Sequence, residues 1–208
     1  GINLGDIITT SNGSINFASV VTLNEDVTLR SVEGIAFDEK LISEVSNDLL
    51  LNAGTRGNVI FSSTVGTIGI LEIEEANKVR AENKITANKL KITAGTSELK
   101  VIETLGLGIE INSDEINFTG GTSSVSGTGS IILKSKDENR SITIGGTRDD
   151  FDSLNLVQRD VMSFKEGFSL IEIGAVRGTG STKIEGDVTF KSAVSIKAGN
   201  QVEVTNAI

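Results

Sequence analysis

The chain has no cysteine, proline, histidine, tryptophan or tyrosine, and one methionine, Met162. Without cysteine there is no disulfide framework and no thiol chemistry. Without histidine the commonest metal ligand is missing, and so is the usual base beside a nucleophilic serine. Zinc and haem sites built on those side chains are excluded with them. No run of about 18 apolar residues occurs, so no membrane-spanning helix is expected. The first residue is Gly1, and no charged-then-apolar leader follows it. The expectation is an excerpt of something longer, with any secretion signal elsewhere or removed.

What remains is 208 residues, 38% of them apolar. That is low for a compact enzyme and high for a disordered chain. A core must come from Ile, Val, Leu, Ala and eight Phe, while 23 Gly with abundant Thr, Ser and Asn favour strands broken by tight turns. Net charge is −9 with a pI near 4.6, which argues against nucleic acid and anionic membrane as partners.

A short motif recurs along the chain: apolar, any residue, apolar, then small or polar residues. It reads Val27-Thr28-Leu29, Leu49-Leu50-Leu51, Leu71-Glu72-Ile73, Leu90-Lys91-Ile92, Ile109-Glu110-Ile111 and Ile131-Ile132-Leu133. It continues through Leu154-Asn155-Leu156, Ile171-Glu172-Ile173 and Val194-Ser195-Ile196. Successive last positions are separated by 22, 22, 19, 19, 22, 23, 17 and 23 residues. A second signal leads the first by about 12 residues, as Ile15-Asn16-Phe17, Ile35-Ala36-Phe37, Val59-Ile60-Phe61, Val79-Arg80-Ala81, Ile116-Asn117-Phe118 and Ile142-Thr143-Ile144. Turns after the trailing strand also repeat, as Asn52-Ala53-Gly54, Thr93-Ala94-Gly95 and Lys197-Ala198-Gly199.

Period-two alternation makes one face of each strand apolar. A unit of about 20 residues cannot bury that face alone and must stack on its neighbours. The predicted fold is therefore all-β: a single-stranded parallel β-helix, one β-solenoid module over residues 1–208. About nine strands at 4.8 Å would make a rod on the order of 40 Å long. An antiparallel sandwich also has many short strands but does not require equal register in successive units. Apolar Val157, Val161, Phe164 and Phe168 have helical spacing, and Gly167 suits a C-terminal cap. A short helix near 157–166 is expected to replace the leading strand of its coil, as a lid over core or as a docking face.

Asp48-Leu49-Leu50-Leu51-Asn52-Ala53-Gly54-Thr55, followed by Gly57-Asn58-Val59-Ile60-Phe61, resembles the shaft repeats of filamentous-haemagglutinin-like bacterial exoproteins. So do Ile142-Thr143-Ile144-Gly145-Gly146 and Ile171-Glu172-Ile173-Gly174 with Gly178-Thr179-Gly180. The resemblance covers nearly the whole chain. It implies secretion to the cell surface, a right-handed shaft, and adhesive or structural duties. That family's export domain carries an Asn-Pro motif, which a chain without proline cannot contain.

The densest carboxylate cluster is Asp149-Asp150 with Asp152, after Gly145-Gly146-Thr147-Arg148. A carboxylate pair can serve as acid and base on a glycosidic bond, but acidic residues are also ordinary turn formers. Neither a calcium-binding nonapeptide repeat nor an EF-hand loop is present. Lys78, Arg80, Lys84, Lys89 and Lys91 form a basic patch suited to an anionic glycan, yet neighbouring coils carry acids at equivalent sites. The segment from Gly120-Gly121 to Gly127-Thr128-Gly129 lacks the Lys-Ser/Thr of a phosphate loop and reads as a loose turn.

No catalytic, cofactor-binding or metal-binding residue is assigned. The expected role is a non-enzymatic structural or adhesive module of a large secreted surface protein. Its alternatives are a head-to-tail subunit of an extracellular filament or sheath, and a carbohydrate-active or glycan-binding β-helix. Expected partners are copies of itself or adjacent repeats end to end, with surface glycans or other cells beyond them. Glu72, Lys91 and Glu110, outward in three successive coils, should form an alternating charge ladder.

Overall fold

Along Val21–Arg30 (β3) the alternation is read out directly. Val21, Leu23, Val27 and Leu29 are buried, whereas Thr22 and Thr28 are half-buried and Arg30 is exposed. The strand lies in two parallel pairings, with Val21–Leu23 against Leu41–Ser43 (β5) and Val27–Arg30 against Leu49–Asn52 (β6). On its other side both halves pair with Ile2–Thr9 (β1). A third column runs through Ile15–Phe17 (β2), Gly34–Phe37 (β4) and Asn58–Phe61 (β7). The chain therefore winds through three faces per coil, in about nine turns of a β-solenoid with coils of about 22 residues. The computed structural model describes residues 1–148 and 152–205.

Val65–Phe118 (β8) is one extended run of 54 residues that passes repeatedly around all three faces. It pairs with β5 at Val65, with β6 at Leu71–Ile73 and with β7 at Lys78–Ala81. Further on it pairs with Val125–Ser126 (β9) and Ser130–Lys134 (β10). The second face carries the expected interior column. Leu29 pairs with Leu51 and Leu51 with Ile73, then Ile111 with Leu133, and all are fully buried, as is the intervening Ile92. Each neighbour fills the space above an identical or similar side chain, so a shared coil length is also a packing requirement. On the third face the phenylalanines stack: Phe17 on Phe37 at 5.0 Å between centroids, and Phe37 on Phe61 at 5.5 Å. Gly95 sits where a Cβ would come within 2.7 Å of the Asn77 carbonyl, so the corner after Ile92 closes tightly against the preceding coil.

Three sequence-based expectations need correction. Leu154–Leu156 (β12) is not a member of the trailing column. Leu133 pairs directly with Ile173 in Leu170–Ile173 (β13), a step from 133 to 173, and Ile173 then pairs with Ile196 in Val194–Ile196 (β15). Between these, the chain rises to Ile142–Gly145 (β11) and turns back, so that β12 pairs parallel with β11 on one side and lies against β8 on the other. The third face continues as a separate four-stranded sheet in the order β12, β11, Thr182–Glu185 (β14) and Val202–Thr205 (β16). The steps of 23 and 17 residues hid this because an apolar-x-apolar triplet looks the same on any face.

The helix, Gln158–Ser163 (α1), follows β12 instead of replacing a strand. It ends at Phe164, which is extended, so Gly167 is not its cap. Val161, Phe164 and Phe168 are buried, and Phe164 meets Phe118 edge to face at 5.3 Å, which fits the lid over core. The segment from Gly120 to Gly129 is not a loose turn either. It contains β9, whose Val125 is fully buried, pairs with Ile102 and bridges to Phe164. That first-face column is masked in the sequence because its inward positions include the small or polar Ser43, Ala87 and Thr104.

Candidate functional site

Asp149 and Asp150, the carboxylates that raised glycoside chemistry, lie outside the described residues; Asp152 is exposed. Most of the basic patch is resolved into ion pairs. Lys78 meets Glu98 and Lys84 meets Glu103 in the next coil, each at 2.6 Å, whereas Arg80 contacts Glu82 on its own strand at 3.2 Å and reaches Glu98 at 4.0 Å. Lys91 donates to Glu72 at 2.6 Å. That hydrogen bond raises the Lys91 ammonium above the usual lysine range, and Glu110 and Glu74 add to the effect through space. The ladder is therefore lopsided: Lys91 binds the coil before it and feels the coil after it only at a distance.

The same device recurs elsewhere. Arg30 reaches past Asn52 to Glu74 at 2.9 Å, and Asn52 donates to the same oxygen at 3.0 Å. Asn52 and Arg30, in that order, hold the Glu74 carboxyl below its usual range. Lys197 pairs with Glu172 of the preceding coil at 2.5 Å, while Lys183 pairs with Glu185 on its own strand at 2.7 Å. The Glu185 bond also raises Lys183 above the usual range.

Surface relief is shallow. A hollow of about 480 Å³ lies beside Arg80, Glu82, Glu98 and Lys100, and one of about 410 Å³ beside Glu103, Leu105, Lys165 and Glu166. A third, about 310 Å³, is bordered by Lys134, Glu138, Glu172, Arg177 and Lys197. At these rims Glu98, Glu103 and Glu172 are each committed to a cation of a neighbouring coil, which ties coils together, and Glu82 is committed to Arg80 on its own strand. Among the described residues no group of three His, Cys, Asp or Glu could hold a metal ion. No helix among them is long and apolar enough to cross a membrane.

No protein-family model, curated protein or solved structure matches the chain.

One polar residue that sequence reasoning passed over is Asp160. It is fully buried on α1, and its Oδ1 accepts from the Phe118 N–H at 2.9 Å. The Arg159 Nε lies 3.9 Å from the same oxygen, and Ser163 Oγ donates to the Asp160 carbonyl at 2.5 Å. The bond to Phe118 satisfies a strand amide at the place where the third face passes from β8 to β12. A buried carboxylate is retained only where such partners offset its desolvation. In the sequence it is one acid in a polar helical stretch, and nothing local marks it as buried.

Proposed function

We propose that this chain is a structural shaft module, without enzymatic activity, of a large secreted surface protein of the filamentous-haemagglutinin-like kind. The observation that carries the reading is the continuous interior column from Leu29 to Ile173, held coil upon coil by parallel pairing and by ion pairs between coils. Such a stack resists extension along its length and presents laddered, charged faces, which suits a spacer between a cell and whatever it meets. The resemblance of Asp48–Phe61 and Ile142–Gly180 to shaft repeats supports the placement outside the cell. Antibodies against the folded chain should label intact source cells; labelling only after lysis would overturn the placement. Release of reducing ends or unsaturated sugars from a polysaccharide panel by the pure chain would overturn the non-enzymatic reading.

A further inference from the structure

The turn between the second and third faces of the first coil, Ser11-Asn12-Gly13-Ser14, holds the one asparagine in the chain that is followed by glycine. Asn12 is exposed, and among the described residues nothing accepts from the Gly13 N–H or binds the Asn12 side-chain amide. Gly13 has φ +111 and open space where a Cβ would stand. Asn12 and Gly13 are tethered through their carbonyls: Thr10 Oγ donates to the Asn12 carbonyl at 3.0 Å, and Ser31 Oγ to the Gly13 carbonyl at 2.8 Å. An unengaged amide nitrogen, a neighbour with no side chain and a free carboxamide are the three requirements for attack of backbone on side chain.

We propose that Asn12 is a self-modification site, converting to aspartate and isoaspartate without an enzyme. The Gly13 amide nitrogen, deprotonated by solvent base, attacks Asn12 Cγ. The new C–N bond closes a five-membered succinimide, the Cγ–Nδ2 bond breaks, and ammonia leaves with the proton returned by solvent. Water then opens the ring at either carbonyl. One opening leaves aspartate. The other leaves isoaspartate, in which the main chain runs through Cγ and is one methylene longer. That extra length acts on the Gly13 carbonyl and so on Ser31 Oγ, which also accepts from the Glu33 and Gly34 amides. The modification thus loosens the anchor of the corner that precedes Phe37.

The other asparagines provide internal controls. Asn52 precedes Ala53, and its side chain is held by the Gly54 N–H and Glu74. Asn139 precedes Arg140, and its Oδ1 accepts from both the amide and the hydroxyl of Thr179.

The test ages the purified chain at mildly alkaline pH, folded and in denaturant, with peptide mapping by mass spectrometry. Isoaspartate is read by methyl transfer from a protein isoaspartyl methyltransferase. In the folded chain, Asn12 should convert faster than Asn52 or Asn139 by on the order of tenfold, because a bulkier next residue and a held carboxamide both raise the barrier. Its rate in the folded chain should stay comparable to that in denaturant, and Asn12→Gln should remove the methyl-accepting site without changing the fold. Conversion at Asn12 seen only in denaturant would overturn the proposal. So would folded-state conversion spread evenly over the asparagines.

Discussion

From Val21 to Lys134 each strand stacks on the strand one coil earlier; from Ile142 to Ile173 the chain steps ahead, turns back and only then resumes. The two regions use the same apolar-x-apolar triplets, but they satisfy backbone and core differently. In the regular stack most inward side chains meet a similar one in the next coil, with exceptions such as Leu23 on Ser43 and Phe61 on Ala81, and amides pair strand to strand. In the excursion a carboxylate, Asp160, takes a strand amide, and a six-residue helix covers the core. Uniform repetition distributes stability over many equivalent contacts. The excursion concentrates it in a few unlike ones, so the two regions should respond differently to local damage.

The sharpest way to test that difference is to cut a cavity in each region. Leu51→Ala, in the middle of the column, should lower unfolding stability by about 2–5 kcal/mol, because packing on both sides leaves little room to collapse. Leu154→Ala should cost less under the same denaturant titration, since β12 is bordered by a separable lid. Equal losses would mean that the excursion is as tightly integrated as the stack.

Next in size is Asp160→Ala, which leaves the buried Phe118 N–H without its acceptor and should cost about 1–3 kcal/mol. Hydrogen exchange should accelerate at Phe118 and across residues 154–168 while amides near Leu51 keep their protection. Asp160→Asn, which retains an acceptor oxygen, should restore part of that protection. Uniform acceleration throughout the chain would show one cooperative unit and remove the contrast.

Charge reversal within the stack should matter less. Lys91→Glu replaces a cation between Glu72 and Glu110 by a third acid; losing a half-buried surface pair costs about 0.5 kcal/mol and repulsion adds a comparable amount. The effect should appear in melting temperature at low salt and fade at high salt. An unchanged melting temperature at low salt would strip the ladder of any energetic role.

The smallest expected effect is the pH dependence of Glu74. Its folded pKa is depressed, so its contribution is complete above the usual carboxylate range and is lost as pH falls through the folded value. Glu74→Gln should therefore destabilise the chain slightly at neutral pH, and the gap from the unsubstituted chain should close on acidification. A gap that persists in acid would assign the loss to packing. Lys91 has the opposite sign. Its raised pKa contributes fully below the usual lysine range and is lost as pH climbs through the folded value.

Much of this was legible in the residues themselves. Alternation told inside from outside at Val27-Thr28-Leu29, recurrence at about 20 residues demanded stacking, close to the coil of about 22 that the structure has, and outward acids one coil from outward cations foretold the pairing of Lys91 with Glu72. These are local or periodic properties, set by strand geometry and by the need to bury an apolar face that no single coil can cover. The chain's path through Ile142–Ile173 was not legible, because a triplet such as Leu154-Asn155-Leu156 specifies its own two faces but not the strand beside it. Nor could the burial of Asp160 be read, since its acceptor role exists only once Phe118, 42 residues earlier, has come to lie against the helix. Amino-acid pattern determined that coils stack; the choice of which strand fills which level belonged to packing in three dimensions, where a chain can skip a place and return to it.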